Sequence, residues 1–112
     1  MRYVLLVESA PVAGRDAEYN EWYNKQHLAD LLKIPGVVSA RRFKLAGPNL
    51  RSATGLSPYL AIYEIETDNL QGVFDEIGKR RGTSAMVMTE AMEMNSIATA
   101  AYEMTYDSAA KP

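Results

Sequence analysis

The alternation of apolar and polar positions divides the chain into four strand-like and two helix-like segments. Residues 3 to 8 are mostly β-branched, aromatic and leucine residues, which is typical of a buried strand. The same patterning predicts strands from Val37 to Leu45, from Tyr59 to Ile65 and from about Met94 to Tyr106. The segment from Thr83 to Met92 fits either a short helix or an ordered loop.

Two segments show the spacing of amphipathic helices. The first begins at Asp16, an expected N-cap, and runs to about Lys33, because Pro35-Gly36 prevents its continuation. The second follows Asp68 and Gln71, whose three-residue spacing resembles a capping box. Its apolar positions, up to a predicted end between Gly78 and Gly82, are Leu70, Val73, Phe74 and Ile77.

The element order β-α-β-β-α-β predicts a fold of the α+β class. Two βαβ halves give a ferredoxin-like protomer, in which an antiparallel four-stranded sheet carries two helices on one face. The 112 residues leave room for one domain, which we assign to residues 1–107, with a flexible tail at 108–112. A long exposed loop is expected from Gly47 to Pro58.

The second face of such a sheet has to be covered or solvated. Small or apolar side chains fall on both faces of the second, third and fourth strands. A chain of this size also buries a limited fraction of its surface, which a partner subunit would increase. We therefore expect an identical subunit to cover the open face, so that the protein is a homodimer.

One histidine, His27, lies near the centre of the apolar stripe of the first helix. At about 100° per residue the stripe collects Tyr19, Tyr23, His27, Asp30, Leu31 and Ile34. Trp22 lies on its flank. Because a helix turns such a stripe toward its sheet, His27 is expected to face the sheet beside Tyr23.

An imidazole in that position can act as a general acid or base, because its ordinary pKa of roughly 6.5 lies near neutrality. Tyr23 is the second candidate catalytic residue, and the phenols of Tyr19, Tyr23 and Tyr63 can donate hydrogen bonds to a developing oxyanion. Asp30 either orients the imidazole or pairs with an arginine of the second strand. Aromatic walls favour an apolar small molecule. A structural role, with the same side chains filling the core, stays open.

The consecutive Arg41 and Arg42 point to opposite faces of the second strand, so one of them enters a covered layer. There it either pairs with a carboxylate or holds an anionic group of a ligand. A change of register by one residue exchanges the two arginines. Lys79-Arg80-Arg81 is interpreted as a solvated helix cap. The methionines between Met86 and Met104 line an adaptable pocket or, more simply, fill gaps.

Composition narrows the classes of function. Twelve basic residues against 14 acidic ones give a net charge of −2, which offers no general attraction to nucleic acid or to anionic membranes. With no cysteine and one histidine, we expect no disulfide, no thiolate chemistry and no metal site. The N-terminal apolar run is too short for a signal peptide or a membrane span, so a cytoplasmic protein is expected. No cofactor is predicted, although a haem held by His27 is left open.

Three stretches carry a family resemblance: residues 19–28 (YNEWYNKQHL), Pro35-Gly36, and residues 40–43 (ARRF). Together they resemble the EthD-like family of the dimeric α/β-barrel superfamily, and element order and length extend the resemblance over nearly the whole chain. The resemblance implies protomers paired sheet to sheet, with a pocket between helices and sheet and the motif histidine at its edge. Ala29 stands where the motif commonly has proline, which loosens the helix constraint.

Relatives in that superfamily include cofactor-free lyases, isomerases, decarboxylases and polyketide cyclases, as well as quinol-forming monooxygenases and haem degraders. The resemblance and the inward histidine favour a cofactor-independent enzyme that performs proton transfer on a hydrophobic aromatic or lactone-like metabolite. A non-catalytic binding or accessory protein and a cofactor-free monooxygenase are the alternatives. The predicted substrate-binding residues are Tyr19, Trp22, Asp30, Arg41, Arg42 and Tyr63.

Overall fold

The computed structural model describes residues 1–48, 50 and 55–109. Its elements follow the predicted order: β1 (Arg2–Ser9), α1 (Asp16–Trp22), a π-helical turn (Tyr23–His27), α2 (Leu28–Leu32), β2 (Val37–Lys44), β3 (Tyr59–Glu66), α3 (Leu70–Arg80), a 3₁₀ turn (Met94–Ser96) and β4 (Ala98–Glu103). We call α1, the π-helical turn and α2 together the first helix. Parts of the predicted loop (49 and 51–54) and of the predicted tail (110–112) lie outside the described residues.

The four strands form one antiparallel sheet in the order β2-β3-β1-β4. The central strand β1 pairs on both sides, so that Leu5 lies opposite Tyr63 of β3 and opposite Ala101 of β4. This order, with a helix in each of the two βαβ halves, is the ferredoxin-like arrangement. The predicted fold class is therefore confirmed.

A bulge at Val38 decides which side chains of β2 face the helices. Val37 pairs with Ile65 and Ser39 with Glu64, so one residue of β2 has no counterpart on β3. The extra residue shifts the alternation of side chains. Arg42, opposite Ala61, therefore faces the helices. Val37 and Arg41 lie on opposite faces of β2. Strict alternation along β2 would place Val37 and Arg41 on one face, and the bulge prevents this.

The ends of several elements differ from the predictions. Arg15 occupies the N-cap of α1 and Asp16 is the first helical residue. Asn69, and not Asp68, caps α3, because its side-chain oxygen lies 2.9 Å from the backbone nitrogen of Gly72. β4 is shorter than expected, since the chain before it forms the 3₁₀ turn. The segment from 83 to 92 is an ordered loop without a helix.

The first helix buries its aromatic stripe against the helix-facing side of the sheet. Tyr19, Tyr23, Leu31 and Ile34 are buried together with Tyr63 and other side chains of β3. On the opposite side, which we call the open face, Leu6 and Leu60 lie on adjacent strands, and all six residues of β4 are exposed. Within the described ranges, none of the helices combines the length and apolarity needed to cross a membrane.

Candidate functional site

His27 closes the π-helical turn, and aromatic rings hold its imidazole on two sides. The ring stacks on Trp22 with 4.4 Å between centroids, and it meets Tyr23 edge to face at 5.2 Å. The indole nitrogen of Trp22 donates a hydrogen bond of 2.8 Å to the carbonyl oxygen of Val87, which fixes the stack against the following loop. The orientation of the imidazole is therefore set by ring packing.

His27 lines a cavity of about 130 Å³ between the helices and the sheet. Tyr23 and Tyr63 line the same cavity, as the sequence predicted for a site around the histidine. Engineered apolar cavities of about 150 Å³ hold a single benzene ring, so this cavity has room for one ring. The remaining lining residues are mostly apolar: Leu5, Val7, Leu31, Ile77, Arg81, Met86, Met88, Met92, Ile97 and Thr99.

The imidazole of His27 is neutral at physiological pH. Burial lowers its pKa to about 4, with Asp30 raising it and Arg81 lowering it by smaller amounts. Nδ1 is sealed from solvent and has no hydrogen-bond partner among the described residues. A neutral imidazole keeps one ring nitrogen unprotonated, and this nitrogen can accept a proton from a ligand. Of the two predicted roles, acid and base, the electrostatics support the base.

The two phenols of the cavity remain protonated. Burial is the main cause that raises the pKa of Tyr63, and the nearby Tyr23 raises it further. Burial also raises the pKa of Tyr23, although Tyr63 and Arg42 partly oppose the shift. The hydroxyl of Tyr63 is buried next to that of Tyr23, without a hydrogen bond of normal geometry to any described residue. The cavity therefore holds a phenol that can donate a hydrogen bond to a ligand oxygen.

Asp30 forms neither of its two predicted pairings among the described residues. Its carboxylate is buried, and Oδ2 accepts a hydrogen bond of 2.9 Å from the side-chain nitrogen of Gln26, four residues earlier. It makes no hydrogen bond to the histidine ring and no ion pair with an arginine. Asp30 does not line the cavity, so it acts on His27 only through the field of its charge.

The structure separates the two arginines as follows. Arg42 lies in the helix-covered layer, where its guanidinium carbon is 4.2 Å from the ring centroid of Tyr23. Its Nη1 donates hydrogen bonds of 2.9 Å to the side-chain oxygens of Asn20 and Asn24. Arg41 lies on the open face and pairs with Glu64 at 2.9 Å. Neither arginine lines the cavity; Arg42 contacts the site only through Tyr23.

Two further predicted residues lie beside the cavity without lining it. Tyr19 is fully buried and shares a hydrogen bond with the hydroxyl of Ser9. Trp22 contacts the cavity only through its stack on His27. Of the eight predicted site residues, the structure therefore brings His27, Tyr23 and Tyr63 to the cavity wall.

Sequence reasoning missed the wall that lies opposite the first helix. Met86, Met88 and Met92 line the cavity, although the simpler interpretation was that the methionines fill gaps. Arg81 caps the end of α3 and is exposed, in accordance with the predicted solvated helix cap, but it also lines the cavity. The reason is that the backbone leaves α3 at Arg81 and forms a bridge with Met86, which folds the loop over the cavity. The alternate spacing of Met86 and Met88 was a usable signal.

No protein-family model and no curated protein matches the chain. Solved structures do share its fold. One is the haem degrader MhuD from Mycobacterium tuberculosis, with two haems bound in its active site. It superposes with a TM-score of 0.59 and a sequence identity of 16%, and the alignment covers 94% of this chain and 97% of MhuD. A candidate monooxygenase from Shewanella loihica superposes with a TM-score of 0.58 and an identity of 13%, covering 95% of this chain and 96% of that protein. An EthD family protein from Bacillus halodurans superposes with a TM-score of 0.47 and an identity of 14%, covering 93% of this chain and 100% of that protein.

At these identities the similarity shows the fold. It confirms the ferredoxin-like protomer that the resemblance to EthD-like proteins implied. Haem, which the mycobacterial structure holds, does not fit the cavity of this chain. Room for one ring excludes a tetrapyrrole, and in the described lining Arg81 is the single cation to face two propionates. His27 could supply a nitrogen ligand to the iron, but the cavity that it lines is too small for the macrocycle.

Proposed function

We propose that this chain is a cofactor-independent small-molecule enzyme in which neutral His27 acts as general base on an apolar, single-ring substrate. The observation that carries the proposal is the meeting of three groups at one apolar cavity of about 130 Å³: a neutral imidazole and the protonated phenols of Tyr23 and Tyr63. A base and hydrogen-bond donors at one cavity are what proton abstraction beside a carbonyl requires.

In such a reaction the unprotonated ring nitrogen of His27 would take a proton from the carbon next to the substrate carbonyl. The Tyr63 hydroxyl, which forms no hydrogen bond of normal geometry with a described residue, would donate a hydrogen bond to the developing enolate oxygen. The imidazolium and the oxyanion would then stabilise each other, because the surrounding apolar wall screens them poorly. Isomerases, lyases and decarboxylases share this proton-transfer step.

Exchange of α-protons in D₂O tests the proposal without knowledge of the natural substrate. Cyclohexanone and δ-valerolactone serve as single-ring probes, and proton NMR follows the loss of their α-proton signals. We expect the wild-type chain to accelerate exchange, and His27→Gln to lower the rate by about 10²-fold or more. Tyr63→Phe should lower it by about 10²-fold, because one donor to the oxyanion is lost.

Arg80→Gln is the matched control, since Arg80 pairs with Glu76 at 2.8 Å and does not line the cavity. Its exchange rate should equal that of the wild type. A His27→Gln chain that exchanges as fast as the wild type would show that His27 is not the base.

The two alternative functions give different outcomes. A non-catalytic binding protein would bind the ring compounds, leave their α-protons in place and retain affinity after His27→Gln. A cofactor-free monooxygenase is the second candidate, favoured by the shared fold with a candidate monooxygenase. It would consume dissolved oxygen in the presence of small phenols, which an oxygen electrode detects.

The same proposal includes a homodimer that closes the open face of the sheet. Apolar side chains of adjacent strands lie side by side on that face, and the residues of β4 are exposed throughout. A sheet face of this composition is normally packed against another layer. The apolar residues concerned are Leu6, Phe43, Leu60, Ile62, Ala98, Ala100 and Tyr102.

A further inference from the structure

Arg81 is the one positively charged side chain in the described lining of the cavity. It belongs to the run Lys79-Arg80-Arg81 at the end of α3, but its side chain has different contacts from that of Arg80. Arg80 is held by Glu76 at 2.8 Å, whereas Arg81 forms no ion pair with any described residue. The structure therefore leaves an unpaired guanidinium at the edge of an apolar cavity.

The backbone fixes Arg81 at this place. Helix α3 ends at Arg80, and Arg81 adopts an extended conformation with φ −56° and ψ 126°. Gly82 follows with φ +81°, a left-handed conformation that favours glycine, and its backbone nitrogen donates a hydrogen bond of 2.9 Å to the carbonyl oxygen of Met86. This tight reversal sets Arg81 beside the methionine wall.

The charge of Arg81 acts on the proposed base. It lowers the pKa of His27, which shows that the guanidinium and the imidazole share one electrostatic environment. A bound anion would offset this effect and make His27 a stronger base. The same anion would also pair with the guanidinium of Arg81, which no described carboxylate does.

We propose that the ligand of this cavity is a small single-ring carboxylic acid, whose carboxylate binds Arg81 and whose ring packs against Met86, Met88 and Met92. The planar guanidinium offers two parallel donors to a carboxylate, and the flexible thioethers adapt to the shape of a ring. The inference rests on the proposed function in one respect: both take the cavity as the ligand site.

Benzoate and benzamide are the probes, because they have nearly the same shape and differ in charge. Trp22, the single tryptophan, stacks on His27 and so reports binding through its fluorescence. At low ionic strength we expect the wild-type chain to bind benzoate about tenfold more tightly than benzamide. Arg81→Gln should remove this preference and leave the affinity for benzamide unchanged, and Arg80→Gln should keep the preference.

The outcomes separate this inference from the proposed function. Equal binding of the two probes by the wild type, or a preference that survives Arg81→Gln, overturns the assignment of a carboxylate to Arg81 and leaves the cavity as the ligand site. If neither probe binds, the cavity itself is not the site and both proposals fail. Thermal melting of Arg81→Gln checks its fold, which should be intact because Arg81 is exposed.

Discussion

The indole of Trp22 and the imidazole of His27 lie face to face, with their planes inclined by only 23°. The two residues are five positions apart, and the π-helical turn between them provides the wider winding that brings such residues together. Helical segments of this kind are frequent at functional sites. The stack removes one face of the imidazole from water, which contributes to the low pKa of His27.

We predict that His27 makes the stability of the protein depend on pH between about 6.5 and about 4. The unfolded chain binds a proton at an ordinary histidine pKa of roughly 6.5, whereas the folded chain does so at about 4. The stabilisation is therefore complete above pH 6.5 and is lost as the pH falls toward 4, by about 3 kcal/mol in total. Urea unfolding at pH 7 and pH 5 measures the loss.

His27→Gln is the control for this prediction, because it removes the titrating group and keeps a polar side chain. The wild-type chain should lose more stability than the variant between the two pH values. An NMR titration of the single histidine provides an independent check. A midpoint close to 6.5 would contradict the burial of the imidazole.

Trp22→Ala should both destabilise the fold and return the histidine toward its ordinary pKa. Loss of the partly buried indole is expected to lower the free energy of unfolding by about 3 kcal/mol. Water then reaches the exposed face of His27, so its pKa should rise. Trp22→Phe keeps a ring in the stack and loses only the bond to Val87, which should cost about 1 kcal/mol and leave the pKa near 4.

The open face should hold two copies of the chain together. We expect sedimentation equilibrium to give twice the mass of one chain. Ile62→Asp places a charge among the apolar residues of that face and should produce monomers whose far-UV circular dichroism is unchanged. Lys79→Glu, an exposed charge reversal on α3, should remain dimeric. A monomeric wild type would refute the dimer.

Two glycines should respond in opposite directions to alanine. Gly36 has φ +100°, and a Cβ there would lie 3.2 Å from a methyl group of Val73, so Gly36→Ala should cost about 2 kcal/mol. Gly78 lies within α3 with open space around it, so Gly78→Ala should stabilise the fold by about 0.5 to 1 kcal/mol. Urea denaturation of both variants measures the difference.

The order of elements and the inward position of His27 could be predicted because both follow from local periodicity. An apolar run, an amphipathic stripe and the break at Pro35-Gly36 each depend on neighbours in the chain. The faces of β2 could not be predicted in the same way, since a single extra residue at Val38 alters the alternation. The extra residue at Val38 therefore decides whether Arg41 or Arg42 packs against the tyrosines of the first helix.

The far wall of the cavity was beyond prediction for a different reason. Arg81 and the methionines after it have no regular secondary structure around them, and their position follows from a turn at Gly82 and from contacts with the distant first helix. Asp30 shows the same limit at close range. Helical spacing placed it one turn from His27, but a hydrogen bond from Gln26 holds its carboxylate elsewhere.

The methionine wall has a consequence for the behaviour of the protein under oxidants. Conversion of a thioether to a sulfoxide makes an apolar, flexible side chain polar, which would damage a wall built to hold a ring. Met86 and Met92 are only 1% and 6% exposed, whereas Met1 and Met94 are more than half exposed. We therefore expect oxidants to convert the exposed Met1 and Met94 before they react with Met86 and Met92 in the cavity wall.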